Sequence, residues 1–158
     1  MVKTNVMRLL EAAGITYRIA EYEYDESNLS GLDAAEKIGF APEQVFKTLV
    51  ARGDKTGILV FCIPVDVELD LKKAAIVSKN KKVEMTHVKE LLALTGYVRG
   101  GCSPIGMKKK YPTFIHETAI LFDEIAVSAG MRGEQVILSP NDLIGYTEAE
   151  EIDISKER

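Results

Sequence analysis

Apolar and polar positions in this chain change period repeatedly. In NVMRLLEAAG, Val6, Leu9, Leu10 and Ala13 recur at helical spacing, and Gly14 supplies a stop. TYRIAEYEY switches to period two with β-rich residues, which predicts a strand with one wetter face. SGLDAAEKIG returns to helical spacing, with Leu32, Ala35 and Ile38 inward and Gly39 at its end. VFKTLVA and GILVFCIP flank the turn RGDKTG and predict a hairpin or two adjacent core strands. DLKKAAIVSK and THVKELLALTG predict two further helices, the second capped by Thr86 and stopped by Gly96. TFIHE reads as a strand and TAILF as a short apolar stretch; EIAVSAG and EQVILSP form a hairpin about Gly130–Gly133. Asn141-Asp142 starts a last short helix before an acidic tail.

Strands and helices are interspersed, with hairpins as well as crossovers. The prediction is one α/β domain over residues 1–158, a mixed, barrel-like sheet with surrounding helices rather than a doubly wound nucleotide fold.

Composition agrees: 46% apolar and 28% charged residues are the mix of a soluble globular protein. No apolar run approaches the ~20 residues that span a bilayer. Glutamate interrupts the apolar opening where a signal peptide would continue, and two cysteines 40 residues apart make no disulfide framework. A reducing cytoplasm is the expected compartment.

Charge changes the picture more. The net −4 conceals a basic segment from Lys72 to Lys110, where ten Lys/Arg meet only two acids, Glu84 and Glu90. A polyanion senses local field rather than total charge, so this segment, Lys81, Lys82 and Lys108 to Lys110 included, suggests a polyanion-facing surface such as one for nucleic acid, the alternative being a solvated face that keeps the protein soluble.

Several chemistries are absent from the sequence. His87 and His116 have no ligand-spaced companions, so no metal site is predicted. GGCSPIGMK lacks the spacing of a phosphate-binding loop, and no Gly-x-Ser-x-Gly elbow occurs. Cys102 could act as a nucleophile only with a base or a lowered pKa, for which Arg99, Lys108 and His116 are the candidates. Lys47 is the stronger feature. Period two puts it with Val45, Leu49 and Ala51, so an ammonium emerges among apolar neighbours, either snorkelling to water or aimed into a pocket. Gly100-Gly101 and Ser128-Ala129-Gly130 each follow a strand, and small residues there leave N–H groups open to a bound carbonyl.

Together GLDAAEKIG, QVFKTLV, LDLKKAA, KKVEM, TGYVRGGCSPIGMKKK and VSAGMRG, in this order, resemble the YbaK/EbsC family. Its members are free-standing relatives of the editing domain inserted in prolyl-tRNA synthetases. The resemblance implies a cofactor-free domain that deacylates mischarged aminoacyl-tRNA, best known for removing cysteine from tRNA(Pro) beside prolyl-tRNA synthetase. It implies that Lys47 holds the aminoacyl-adenosine end and that the Gly100 backbone and Ser128 contact substrate. Tyr22 and Thr48 would be pocket residues. From the residues themselves, we expect the N–H groups of Gly101 and Ala129 to join that of Gly100 in polarising the ester, and Ala129 and Gly130 to line the substrate pocket. Ser30 and Gln135 depart from the familiar aromatic and acidic pocket residues, which bears on the amino acid removed. The cysteine-specific mechanism uses the substrate's own thiol, so no triad is needed.

Overall fold

The computed structural model describes residues 3–158. β1 (Tyr17–Glu21), β6 (Ile125–Ser128) and β7 (Glu134–Leu138) form a three-stranded antiparallel sheet in the order β1-β7-β6. β2 (Phe46–Gly53), β3 (Gly57–Pro64), β4 (Val83–Met85), β5 (Thr113–His116) and β8 (Glu150–Ile152) form a second sheet in the order β4-β2-β3-β5-β8. The mixed character is as predicted, with β3, β5 and β8 parallel and β2 antiparallel to β3 and β4. The barrel does not close. Among the described residues, the backbones of the two sheets pair at a single parallel bridge, Val45 to Ala126.

That bridge creates a wedge. β3 pairs along one whole edge of β2. On the opposite edge, β6 reaches β2 only at Val45 and β4 pairs only with Ala51–Gly53. Between these two points the sheets part.

The run ILVFCIP is apolar at every position because β3 is buried on both faces. Val60 and Cys62 pack with α1 (Asn5–Ala12), β6 and β7, whereas Leu59, Phe61 and Ile63 pack with α3 (Leu71–Ser78). Phe61 stacks on Phe114 of β5 with ring centroids 5.3 Å apart. In α1, Val6, Met7 and Leu10 are fully buried, as helical spacing requires.

Local chemistry sets the helix ends. Ser30 caps α2 (Gly31–Ile38), its Oγ accepting from the Asp33 N–H at 3.2 Å, and Gly39 closes it in the left-handed region. Asp70 caps α3 through the N–H groups of Lys72 and Lys73. Two expectations are corrected here. Leu32 does not face the core: α2 buries Ala34 and Ala35, and Leu32 is 50% exposed. Thr86 does not cap α4 (Val88–Thr95). His87 holds that position, its N–H donating to the Glu90 carboxylate at 2.9 Å, and Thr86 turns to the Val50 carbonyl. TAILF is a 3₁₀ turn over Glu117–Leu121, and α5 (Pro140–Thr147) starts at Pro140, behind Ser139.

Candidate functional site

The wedge between the sheets is a cavity of about 450 Å³. Its walls are β2, the start of α2, the β4–α4 junction, the Arg99–Cys102 loop, and the ends of β6 and β7. It gathers Tyr22, Ser30, Lys47, Thr48, Gly100, Ser128 and Gln135 from six separate stretches. Among the described residues its Lys and Arg side chains are Lys47 and Arg99, and no carboxylate lines it. Leu32, Met85 and Val88 form an exposed apolar rim.

Lys47 is half-buried, and burial pushes its pKa down, opposed by the carboxylates of Glu68 and Asp66. The ammonium is partly stripped of water, a state in which it grips an anion or carbonyl oxygen more strongly. Thr48, the next residue, points to the other face of β2, opposite Cys62. Its Oγ1 is buried and meets no N or O partner, and the Cys62 thiol lies near it.

The glycine-rich loops divide into one open donor and three engaged ones. Gly100 has φ +87°, and its N–H donates to no acceptor among the described residues. Gly101 and Ala129, expected as ester polarisers, are corrected: the Gly101 N–H donates to the Val98 carbonyl at 3.0 Å and the Ala129 N–H to the Glu134 carbonyl at 3.0 Å. A donor closed within its own turn cannot also meet a ligand carbonyl. The Gly130 N–H donates to the Ser128 Oγ at 3.2 Å. None of Gly101, Ala129 and Gly130 lines the cavity. Gly101 is needed for close approach instead, since a Cβ there would stand 3.1 Å from the Met131 Cα. Ser30 lines the cavity while its hydroxyl serves the α2 cap and donates to Asn28 Oδ1 at 2.9 Å.

Cys102 also lines the cavity, but burial pushes its thiol up to about 12. At neutral pH it is held as the thiol, the poor nucleophile. His116 cannot serve it as a base. His116 is not at the cavity: Nδ1 faces Thr118, Oγ1 at 2.8 Å and N–H at 3.3 Å, and Nε2 alone faces both Ser155 Oγ at 3.1 Å and Asp153 Oδ1 at 3.3 Å, so both ring nitrogens are engaged elsewhere and serine and aspartate share one of them. For the same reason this Ser-His-Asp grouping is no hydrolytic triad. It pins the chain after β8.

The lysines expected to face a polyanion are not at the cavity. Lys82 pairs with Glu84 at 2.7 Å and Lys110 with Glu148. Lys109 and Lys110 border a second cavity of about 370 Å³, beside Met107, Tyr111 and Tyr146. Met85 and His87 carry no sequence signal as site residues, and Arg99 is a sequence candidate only beside Cys102, because only the tertiary fold brings β4, α4 and the glycine loop to one mouth. Among the described residues no group of three or more His, Cys, Asp and Glu could hold a metal, and no helix is long and apolar enough to cross a membrane.

Comparison with known proteins adds an independent line. Residues 30–146 match the aminoacyl-tRNA editing domain family. The chain is 48% identical over 153 residues to a protein of Enterococcus faecalis named as a candidate Cys-tRNA(Pro)/Cys-tRNA(Cys) deacylase, EbsC, covering 97% of this chain and 93% of that one. It is 25% identical to the uncharacterised YwhH of Bacillus subtilis over 79% of each chain. A crystal structure described as that of a candidate trans-editing enzyme for prolyl-tRNA synthetase superposes with a TM-score of 0.85 at 24% identity, covering 99% of this chain and all of that one, which is likeness of fold.

Proposed function

The chain belongs to the aminoacyl-tRNA editing domain family, in its YbaK/EbsC branch, and from that premise we propose that it is a trans-editing deacylase that clears cysteine from tRNA(Pro). The observation that supports this reading best is the half-buried Lys47 in a cavity without a carboxylate. The ligand such a pocket favours carries oxygens and negative charge, as the 3′ end of an aminoacyl-tRNA does. Lys47 and Arg99 hold that end, and the Gly100 N–H meets the ester oxygen.

Among the described residues no hydroxyl or thiol of the cavity is hydrogen-bonded to a base, and the proposed chemistry needs none. The substrate's cysteine sulfur attacks its own ester carbonyl; the carbon–oxygen bond to the ribose breaks; the ribose oxygen leaves with the proton the thiol gave up. The products are tRNA and a cyclic thiolactone. Intramolecular attack can supply up to ~7–11 kcal/mol of the barrier, so the protein has only to position and polarise. Cysteine and proline are similar in size, a pair that a synthetase pocket separates by only ~1–3 kcal/mol, which is where a second site helps. Association with prolyl-tRNA synthetase belongs to this proposal, as the source of tRNA selectivity.

The test is deacylation of Cys-, Ala- and Ser-charged tRNA(Pro) by the wild type, Lys47→Ala and Cys102→Ala. Release of cysteine, lost at least about 100-fold in Lys47→Ala and kept in Cys102→Ala, is expected. Full activity in Lys47→Ala overturns the site. Binding of every charged tRNA without turnover selects instead a non-catalytic accessory, the reading that the departures at Ser30 and Gln135 favour.

A further inference from the structure

The edge of β2 that faces the cavity is an unfinished sheet. Extending the register from Phe46 opposite Pro64 brings Val45 opposite Val65, whose N–H donates to the Val45 carbonyl at 2.9 Å. Opposed pairs in an antiparallel ladder alternate between hydrogen-bonded and non-bonded. Lys47 and Leu49 therefore turn their N–H and C=O toward β3, while Phe46, Thr48 and Val50 turn theirs away from it. Two observations agree with this parity. Pro64, which has no N–H, stands opposite Phe46. The Val50 carbonyl accepts from Thr86, N–H at 3.2 Å and hydroxyl at 2.9 Å, on the far edge. On that edge β6 stops at Val45 and β4 begins at Ala51, so Thr48 lies on the cavity wall with no strand beside it.

We infer that the aminoacyl group binds as one residue of the missing strand, exchanging two hydrogen bonds with Thr48. The Thr48 N–H donates to the ester carbonyl oxygen, and the Thr48 carbonyl accepts from the substrate's α-ammonium. This rests on the deacylase reading above and specifies how the acyl end is held. An amino-acid ester presents a donor and an acceptor at the spacing of a strand residue, the arrangement by which extended peptides add to a sheet edge. Three observations converge on it. The cavity has no carboxylate, so an ammonium there must be received by neutral oxygen acceptors. The donors at Gly101 and Ala129 are engaged, whereas the N–H groups of Thr48 and Gly100, both on the cavity wall, have no acceptor among the described residues. Side chains directly opposite in such a pair share a face of the sheet, so the substrate's side chain lies beside that of Thr48, whose buried Oγ1 lacks an N or O partner. Thr48 thus reads the acyl side chain as well as its backbone.

Residue-resolved amide hydrogen exchange by NMR tests this, with 3′-alanylamino-3′-deoxyadenosine as an uncleavable probe. In the free protein the Thr48 amide is expected to exchange at least about tenfold faster than those of Lys47 and Leu49. Saturating probe is expected to slow it by about tenfold or more, and a propionyl probe lacking the amino group to bind about tenfold more weakly. A probe that shifts the signals of Gly100 and Gln135 yet leaves Thr48 exchange unchanged overturns this inference and leaves the deacylase reading intact. A probe that shifts no cavity signal overturns both.

Discussion

Ser128 and Gln135 stand directly opposite one another in the β6–β7 ladder, and both close the same end of the cavity. Their hydrogen bonding differs. The Ser128 Oγ accepts from the Gly130 N–H, whereas the Gln135 Oε1 is buried with no partner. An orphaned acceptor costs stability in the free protein, about 1–3 kcal/mol, and is available to a ligand donor.

Gln135→Met, close in shape and apolar, is expected to stabilise the free protein by about 1 kcal/mol, a rise in Tm of about 2–4 °C. The same change is expected to weaken an aminoacyl ligand. Calorimetry of the free and ligand-bound protein checks both signs. A loss of stability on substitution means that Oε1 is satisfied in solution.

Lys47 gives a pH signature. Its folded pKa lies below its unfolded value, because burial disfavours the charged form. The unfolded chain therefore holds the proton more tightly, and this residue's penalty on folding is present at neutral pH and relieved as pH rises through the window below 10.5. Lys47→Met is expected to be the more stable protein at pH 7, with an advantage that narrows toward pH 10.5. Denaturant titration of both proteins across that range is the measurement, and a constant difference contradicts the assignment.

Gly101→Ala is expected to cost about 1–3 kcal/mol in stability, because its Cβ would press on the Met131 Cα and the Arg132 nitrogen, backbone atoms that cannot swing aside. Gly100→Ala meets only the flexible Leu29 side chain, but at φ +87° it is strained as well. The two substitutions separate by activity: Gly100→Ala is expected to reduce deacylation at saturating substrate, whereas Gly101→Ala acts through stability alone. Urea midpoints alongside kcat tell them apart.

Lys108 and Lys109 offer a test of the proposed tRNA-facing edge. Neither lines the acyl cavity nor forms an ion pair among the described residues. If this edge meets phosphates, replacing both by alanine is expected to lower the log–log salt slope of tRNA binding by about 1–2, with release from a short aminoacylated acceptor fragment unchanged. An unchanged slope removes the lysine triplet from the interface.

The sequence pattern exposed the long elements because each buries a periodic face. α1, the β2–β3 hairpin and the β6–β7 hairpin all appear where the pattern put them. It did not reveal β4 or β8, three residues each, because VEM and EEI are mostly exposed and their pairing is decided by the neighbouring strand. Leu32 misled for a related reason: helical spacing defines an apolar stripe but not what lies against it, and here part of the stripe borders the cavity mouth.

The order of apolar and polar residues by itself determined a mixed α/β domain and a lysine emerging from an apolar strand, because burial of apolar surface and backbone pairing act on residues close in sequence. Only the tertiary structure decided which backbone groups remain open. The Gly101 and Ala129 donors are closed by turn conformations that composition does not specify, and Thr48 is left open because β6 and β4 reach the same edge of β2 at opposite ends. Hydrogen-bond vacancies depend on what packs alongside, and no local pattern encodes that.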